Sequence, residues 1–334
     1  MRTNTFGGLT ATLILTLSVP VAGCFSPMES GDLVPQTVDE DPSLPQLSFN
    51  NSTFHVEAFG DEDLPVIVML HGGPGADYRG LLGLRQAVDG RRLEDTHRVV
   101  YWDQRSSGLS QRHDADEISF ALYDRDLDWI VEHFSPGRPV VLLGHSWGGM
   151  YATRYISNHP ERVAGAVLIE PGPLTGELFE DIKDEIMELD FFSEWLNDLS
   201  WARGVISPDD HARADLLVLS AVLAPDSQPG YGVDADDLSF WRVGAVANAE
   251  IQNEGLDEDG VGVWDFTVGL DDFETETLFI ASGDNVVLGE EFQQRQMELY
   301  PSASLTVIPN AGHEVPTTHP EQTLRAVFNY VDAL

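Results

Sequence analysis

The chain has 334 residues, of which 42% are hydrophobic, and this is enough to bury the core of one large α/β domain carrying an insertion. Asp and Glu number 56 against 18 Lys and Arg, so the formal net charge is −38. This balance argues against a nucleic-acid partner, because phosphate binding needs a basic face. The acidic residues are spread along the chain. That distribution favours a solvated shell suited to salty surroundings over a field that attracts cationic substrates.

The first residues have the features of an export signal. An apolar run at Leu9–Val21 follows Arg2 and is too short for a comfortable membrane span, as expected of a signal-peptide core. Cys24 is the only cysteine and comes directly after small residues, a pattern that resembles the bacterial lipoprotein signal. We therefore expect residues 1–23 to be a lipoprotein signal peptide and Cys24 to carry the lipid, which would anchor the protein at the extracytoplasmic side of the bacterial cell envelope. An ordinary secretory signal cleaved nearby is the alternative.

The next stretch predicts a tether followed by strands and a helix. Residues 24–46 contain four prolines among Ser, Asp and Glu, so we predict a disordered tether. The alternation at Phe54–Phe59 predicts an early strand, and the continuous apolar run Leu64–Leu70 predicts a buried central strand. A further strand is predicted at Arg98–Trp102 and an amphipathic helix at Phe120–Phe134.

A glycine-rich loop, His71-Gly72-Gly73-Pro74-Gly75, follows the predicted central strand. Three glycines in five residues leave backbone N–H groups accessible. The loop is therefore a candidate oxyanion loop, in which the Gly73 N–H would donate to a developing negative charge. His71 is expected to shape the loop. A flexible connection after a strand is the alternative.

The stretch Gly144-His145-Ser146-Trp147-Gly148 fits the pattern G-x-S-x-G. An apolar run at Pro139–Leu143 predicts a buried strand before it, and Met150–Ile156 predicts a helix after it. A sharp strand-to-helix turn of this kind exposes one serine hydroxyl at the carboxyl edge of a sheet, so Ser146 is the candidate nucleophile. The N–H of Trp147 is the second candidate donor of the oxyanion hole.

The strand pattern stops after Val163–Glu170 and resumes only near residue 274. We predict that residues 171–273 form a helical cap inserted into an α/β core made of residues 47–170 and 274–334. Strands that alternate with helices indicate a doubly wound, mostly parallel sheet, whose strand carboxyl ends carry the site. Three cap helices are predicted, at Leu178–Leu199, Asp209–Leu223 and Leu238–Ile251.

The last segment returns to the core pattern. A strand at Thr277–Ser282 leads into Gly283-Asp284-Asn285, and a strand at Ser304–Ile308 leads into a loop that contains His313. A final helix is predicted over residues 320–334.

Together these motifs resemble the α/β-hydrolase fold and, within it, the prolyl-iminopeptidase-like serine hydrolases. The resemblance covers residues 47–334 and is carried by His71–Gly75, Asp103-Gln104-Arg105 with Gly108 and Ser110, residues 144–149 and Gly312-His313. It implies a small-peptide substrate whose α-amino group is held by acidic residues of the cap. Ser106 stands where this family usually has glycine. No motif singles out one of the cap acids, among them Glu177, Glu180 and Glu250.

His313 is the candidate general base. A serine hydroxyl needs a positioned imidazole to take its proton. His313 follows the terminal strand in a Gly-rich loop, which gives the chain order nucleophile, acid, base.

Two carboxylates are candidates for the acid behind this histidine. The usual place in the family, after the strand that follows the cap, points to Asp284. The family usually has an Asp four residues before a proline there, however, and Asn285 takes that place relative to Gly289. Glu170 resembles the arrangement of some haloalkane dehalogenases, in which the acid ends the strand after the nucleophile helix. A solvated strand-end acid and a turn residue are the ordinary interpretations of Glu170 and Asp284, respectively.

We therefore expect a membrane-tethered serine hydrolase that acts on a peptide or another small molecule through an acyl-enzyme. Prolyl-iminopeptidase-like aminopeptidase activity is the first hypothesis, and hydrolysis of a carboxylic ester, amide or lactone is the second. A non-catalytic ligand-binding lipoprotein is the alternative of a different class. No cofactor and no metal are expected, because the sequence has neither clustered His and Cys ligands nor a G-x-G-x-x-G loop.

Overall fold

The computed structural model describes residues 34–187, 211–223, 230–234 and 237–334. The predicted signal peptide, Cys24 and the first part of the predicted tether lie outside these ranges. Within them, no helix is long and apolar enough to cross a bilayer.

A mixed, mostly parallel sheet lies at the centre of the described chain. Its strands are β1 (Gln46–Phe49), β2 (Ser52–Phe59), β3 (Val66–Leu70), β4 (Arg98–Trp102), β5 (Val140–His145), β6 (Val163–Ile169), β7 (Thr277–Ser282) and β8 (Ala303–Ile308). Their order in space is β1-β2-β4-β3-β5-β6-β7-β8. The pairs β1–β2 and β2–β4 are antiparallel, and the other neighbours are parallel. The predicted α/β-hydrolase fold is confirmed.

The strand order reverses at β3, which lies between β4 and β5. In an open α/β sheet such a reversal leaves a crevice beyond the carboxyl ends of the strands. The glycine-rich loop follows β3, and the G-x-S-x-G stretch begins at the end of β5. The topology thus brings the two most distinctive motifs of the sequence to one crevice.

Helices cover both faces of the sheet. They are α1 (Phe120–Phe134), α2 (Trp147–Asn158), α3 (Gly176–Met187), α4 (His211–Val222), α5 (Ala245–Glu254), α6 (Glu290–Met297), α7 (Val315–Thr318) and α8 (Pro320–Val331). Alternate residues of β3 enter different apolar clusters: Val68 packs with residues of α1 and α2, and Met69 packs with residues of α8. The continuous apolar run at β3 therefore reflects burial on both faces.

The chain between β6 and β7 contains helices α3, α4 and α5 and, in its described part, no strand of the sheet. The predicted helix Asp209–Leu223 corresponds to α4, and the first part of Leu178–Leu199 corresponds to α3; residues 188–199 lie outside the described ranges. The predicted helix Leu238–Ile251 starts too early, because α5 begins at Ala245.

Backbone hydrogen bonds to the core explain the late start of α5. The N–H groups of Trp241 and Arg242 donate to the Asp77 carboxylate, at 2.5 and 3.0 Å. The Gly244 N–H donates to the carbonyl of Gly75, at 2.7 Å. Because these N–H groups bind the loop after β3, residues 241–244 lie along that loop, and the helix begins only after them.

Residues 34–45 differ from the predicted disordered tether, because they pack against the domain. Val34 and Val38 are buried, and the Val38 N–H donates to the carbonyl of Leu109 at 2.8 Å. Arg242 donates to the Pro35 carbonyl at 2.9 Å and to Glu40 at 3.2 Å. This stretch is ordered despite its proline-rich composition, because Val34 and Val38 bury their side chains and Glu40 pairs with the buried Arg242.

Asp215 of α4 is the centre of a buried ion network between the insertion and the core. Its Oδ2 accepts from Nε of Arg112 at 3.0 Å and from Nε of Arg242 at 2.7 Å, and its Oδ1 accepts from the Ala245 N–H at 2.9 Å. Arg112 also donates to three carbonyls of residues 107–110. All three ionic side chains are less than a tenth exposed. Asp215 is the acid that both guanidinium groups share, and Arg242 has Glu40 as a second, partly exposed partner.

We expect Asp215→Asn to lower the free energy of unfolding by about 3 to 5 kcal/mol, because it removes the acid that pairs with the buried Arg112 and the nearer of the two acids that pair with the buried Arg242. Equilibrium denaturation by urea measures this loss. Glu132→Gln is the matched control, since its partner Arg162 lies in a largely solvated pair and its loss should barely move the midpoint. A midpoint for Asp215→Asn equal to that of the control would contradict the account.

Candidate active site

Ser146 lies in the turn between β5 and α2 with φ 54° and ψ −120°. An L-residue rarely adopts a positive φ, and holding one typically costs about 1–3 kcal/mol. The surrounding glycines allow the turn: a Cβ on Gly144 would lie 2.2 Å from the Gly148 carbonyl oxygen, and one on Gly148 would lie 2.0 Å from the Leu70 oxygen. The Ser146 N–H donates to the carbonyl of Ile169 at 2.9 Å, and this bond fixes the turn against β6.

A cavity of about 240 Å³ lies over this turn. Ser146 and His313 both line it, although they are far apart in the sequence. His71, Gly72, Gly73 and Pro74 of the glycine-rich loop form part of its wall. The other described residues that line it are Ala76, Asp77, Gly80, Leu81, His145, Val218, Val222, Tyr231, Phe240, Val243, Asn248, Gln252 and Glu314.

Glu170 lies directly behind His313. The Nδ1 of His313 is 2.8 Å from Oε2 of Glu170. A carboxylate at neutral pH only accepts, so Nδ1 carries the proton and the bond fixes the tautomer of the ring. The Nε2 of neutral His313 is therefore an acceptor. Glu170 follows β6 with a positive φ of 42°, and its side chain is fully buried.

Other donors to Glu170 come from the last residue of β7 and from the loop that follows it. Its Oε1 accepts from the Ser282 N–H at 2.6 Å and from the Ser282 hydroxyl. Its Oε2 also accepts from the Asn285 amide at 2.8 Å. These donors hold the carboxylate in one orientation.

Asp284, the other candidate for the acid, is exposed, and its backbone N–H donates to the carbonyl of Ala311 at 2.9 Å. The turn after β7 instead directs the next side chain inward: Asn285 is buried, and its Oδ1 accepts from the N–H groups of Val287 and Leu288. Residue 285, not 284, thus faces Glu170. The structure brings Glu170 to His313 and leaves Asp284 at the surface.

The pKa of His313 is raised above the ordinary histidine value. Burial alone lowers the pKa, but the hydrogen bond to Glu170 and the negative charges of Glu170 and Glu314 outweigh it. The imidazolium form of His313 is therefore stabilised by this environment.

His145 has the opposite behaviour. It is buried, and burial together with the neighbouring His313 charge lowers its pKa to about 3, so it is neutral. Its Nε2 donates to the His313 carbonyl at 2.9 Å, and the Tyr231 carbonyl accepts from the His313 N–H at 2.8 Å. These two contacts hold the backbone of His313 from both sides, and His145 thereby supports the loop that follows β8.

His71 holds the glycine-rich loop in place. The backbone N–H of Gln104 donates to Nε2 of His71 at 3.0 Å, so Nε2 has no proton and Nδ1 donates to the Gly72 carbonyl at 2.8 Å. Burial lowers the pKa of His71, in agreement with a neutral ring. The side chain of Gln104 donates to the His71 carbonyl and accepts from the Trp147 indole, and this links the loop to the start of α2.

Comparison with known proteins identifies the fold family. The family model described as alpha/beta hydrolase fold matches residues 65–320. The chain belongs to the α/β-hydrolase fold family. Its members include hydrolases of several substrate classes, and the similar proteins reflect this range.

Three similar proteins illustrate the range around this α/β-hydrolase. A probable aminopeptidase of Bacillus subtilis, YbaC, is 33% identical over 125 residues, which is 35% of this chain and 38% of the relative. The proline iminopeptidase PfmaB of Pestalotiopsis fici is 22% identical over 86% of this chain and 98% of its own. The solved structure of Est816, described as an N-acyl homoserine lactone degrading enzyme, has a TM-score of 0.58 at 19% identity and covers 86% of this chain and 100% of its own. At this identity the structural likeness shows the fold alone.

Sequence reasoning missed three residues that organise the site of this α/β-hydrolase. Ser282 and Asn285 bind the Glu170 carboxylate, and Gln104 joins His71 to Trp147. The sequence did point to Asn285, because this residue occupies the position where the family usually has its acid. Among the described residues, no group of three or more His, Cys, Asp or Glu could hold a metal ion.

We expect Glu170→Gln to lower the pKa of His313, because burial would then be opposed only by the charge of Glu314. A titration of the ring resonances by NMR measures both proteins. Asp284→Asn is the matched control and should leave the titration where it is in the unmodified protein. An unchanged His313 titration in Glu170→Gln would contradict the described contact.

Proposed function

We propose that this α/β-hydrolase is a serine hydrolase that forms an acyl-enzyme on Ser146. The observation that carries the proposal is the bond from His313 Nδ1 to the buried Glu170, in a cavity that Ser146 also lines. With Nδ1 occupied by the carboxylate, Nε2 of His313 is the free acceptor that a serine hydroxyl needs. The three side chains then have the roles of nucleophile, base and acid.

The proposed reaction has two half-reactions. Nε2 takes the proton of the Ser146 hydroxyl as Oγ attacks the substrate carbonyl, and the resulting imidazolium gives that proton to the leaving group as the bond to it breaks. A water molecule then attacks the acyl-enzyme, again losing a proton to Nε2, and Ser146 leaves as the free hydroxyl. Glu170 stays ionised throughout and stabilises the imidazolium, which agrees with the raised pKa of His313.

The N–H groups of Gly73 and Trp147 are the proposed oxyanion hole. Trp147 is the first residue of α2, so its N–H has no partner within the helix and lies at the positive end of the helix dipole. Gly73 lines the same cavity as Ser146. Loss of one such donor typically raises a barrier by about 3 kcal/mol.

The substrate we favour is the N-terminal residue of a small peptide. The similarity to a probable aminopeptidase and to a proline iminopeptidase supports this choice. A carboxylic ester, amide or lactone with an apolar acyl part is the second candidate. It is favoured by the apolar part of the cavity wall, which includes Leu81, Val218, Phe240 and Val243.

A fluorophosphonate probe tests the nucleophile. The probe should add one phosphonyl group to the unmodified protein, and peptide mass spectrometry should place it on Ser146. Ser146→Ala should abolish the label, whereas Ser157→Ala, a change of the same kind at a half-buried serine on the far end of α2, should leave it intact. Folded protein that takes no label would overturn the proposal and favour a ligand-binding role.

We also propose that the protein is held at the bacterial cell envelope by a lipid on Cys24. This residue lies outside the described part of the structure, and the support is the sequence pattern before it.

Cys24→Ser should move the protein from the membrane fraction to the soluble extracytoplasmic fraction and should abolish incorporation of labelled palmitate, because a single thiol carries the acyl anchor. Ser26→Ala is the matched control and should stay in the membrane fraction. A Cys24→Ser protein that remains membrane-bound would contradict this anchor.

A further inference from the structure

Two carboxylates line the described cavity, and both belong to the core. They are Asp77, in the loop after β3, and Glu314, the residue after His313. Asp77 is fully engaged: it accepts from the backbone N–H groups of Arg79, Trp241 and Arg242. Its oxygens hold the loop and the segment before α5, so Asp77 has a structural role.

Glu314 is different, because among the described residues no donor reaches its carboxylate. Only its backbone carbonyl is used, as the acceptor of bonds from Thr317 and Thr318 in α7. Oε2 of Glu314 lies near Gly80, another residue of the cavity wall: a Cβ on Gly80 would lie 3.9 Å from it. A carboxylate without a donor is thus directed into the same space as Ser146 and His313.

The surroundings of Glu314 disfavour a lone negative charge. Burial raises the pKa of its carboxyl, the negative charges of Glu170 and Asp237 raise it further, and a charged His313 opposes them. Glu314 is half-buried, and a partly desolvated carboxylate without a donor is stabilised by a cation that donates hydrogen bonds to it. No arginine or lysine is among the residues that line the described cavity. An ammonium group on a bound substrate would supply such a cation.

We infer that Glu314 binds an ammonium group on the acyl part of the substrate and thereby selects aminoacyl substrates. The inference rests on the proposed serine-hydrolase function and deepens it. The selecting acid then belongs to the core, immediately after His313, rather than to the cap. Of the cap acids considered from the sequence, Glu180 instead accepts from the Gly262 N–H at 3.1 Å and lies 3.5 Å from Lys183, and Glu177 is exposed.

The test compares two esters that differ in one amino group, L-leucine methyl ester and methyl 4-methylpentanoate, at a pH where the amine is protonated. The unmodified protein should have a higher kcat/KM for the aminoacyl ester. Glu314→Gln should reduce the ratio of the two kcat/KM values at least tenfold, and Glu314→Asp should retain part of it. The ratio cancels any effect of Glu314 on the basicity of His313, because both esters use the same base.

Glu298→Gln is the matched control, because it removes the same charge from an exposed position and should leave the ratio unchanged. A ratio in Glu314→Gln within twofold of the unmodified protein would overturn the inference. Fluorophosphonate labelling of Ser146 distinguishes failure of this inference from failure of the proposed function. If the protein is labelled but the ratio is unchanged, the role of Glu314 is refuted and the serine-hydrolase proposal stands. If the protein is not labelled, both are refuted.

A second measurement uses only the unmodified protein, so it tests the inference even if Glu314→Gln does not fold. We expect 3-methylbutylammonium to inhibit hydrolysis of methyl 4-methylpentanoate by the unmodified protein at a concentration at least tenfold lower than 3-methylbutanol does. Equal inhibition by the two compounds would overturn the inference.

Discussion

The hydrogen bond from His313 to Glu170 is the interaction on which the site depends. It joins the loop after β8 to the end of β6, two segments separated by the entire insertion. It also fixes which nitrogen of His313 can accept a proton. Glu170 is oriented by donors from Ser282 and Asn285. The backbone of His313 is held by contacts with His145 and Tyr231. The loops after four strands thus converge on one imidazole.

Much of this arrangement could be predicted from local sequence. The apolar runs before Gly72 and Gly144 predict buried strands, and the glycines after them predict tight turns, so the positions of Ser146 and the loop at Gly73 follow from pattern alone. His313 follows from its loop and its place in the chain. Each of these predictions uses information within about ten residues, which periodicity and turn chemistry supply.

The identity of the acid could not be predicted in this way, because it depends on which side chain the turn after β7 directs inward. Asp284 and Asn285 are adjacent, and a shift of one position reverses their burial. An asparagine facing inward supplies a hydrogen-bond donor but no charge, and Glu170, which follows the neighbouring strand, supplies the carboxylate. The packing of residues 34–45 escaped prediction for a similar reason, since it rests on contacts with Leu109 and Arg242, which are distant in sequence.

The central claim is that Glu170 is the carboxylate that supports His313 during turnover. Steady-state kcat/KM for one ester substrate, measured for Glu170→Gln and Asp284→Asn beside the unmodified protein, tests it most directly. Removal of the acid of a serine triad typically costs several orders of magnitude in rate. The account predicts a loss of at least about a hundredfold for Glu170→Gln and a change of less than about twofold for Asp284→Asn. Full activity in Glu170→Gln, or a loss confined to Asp284→Asn, would contradict it.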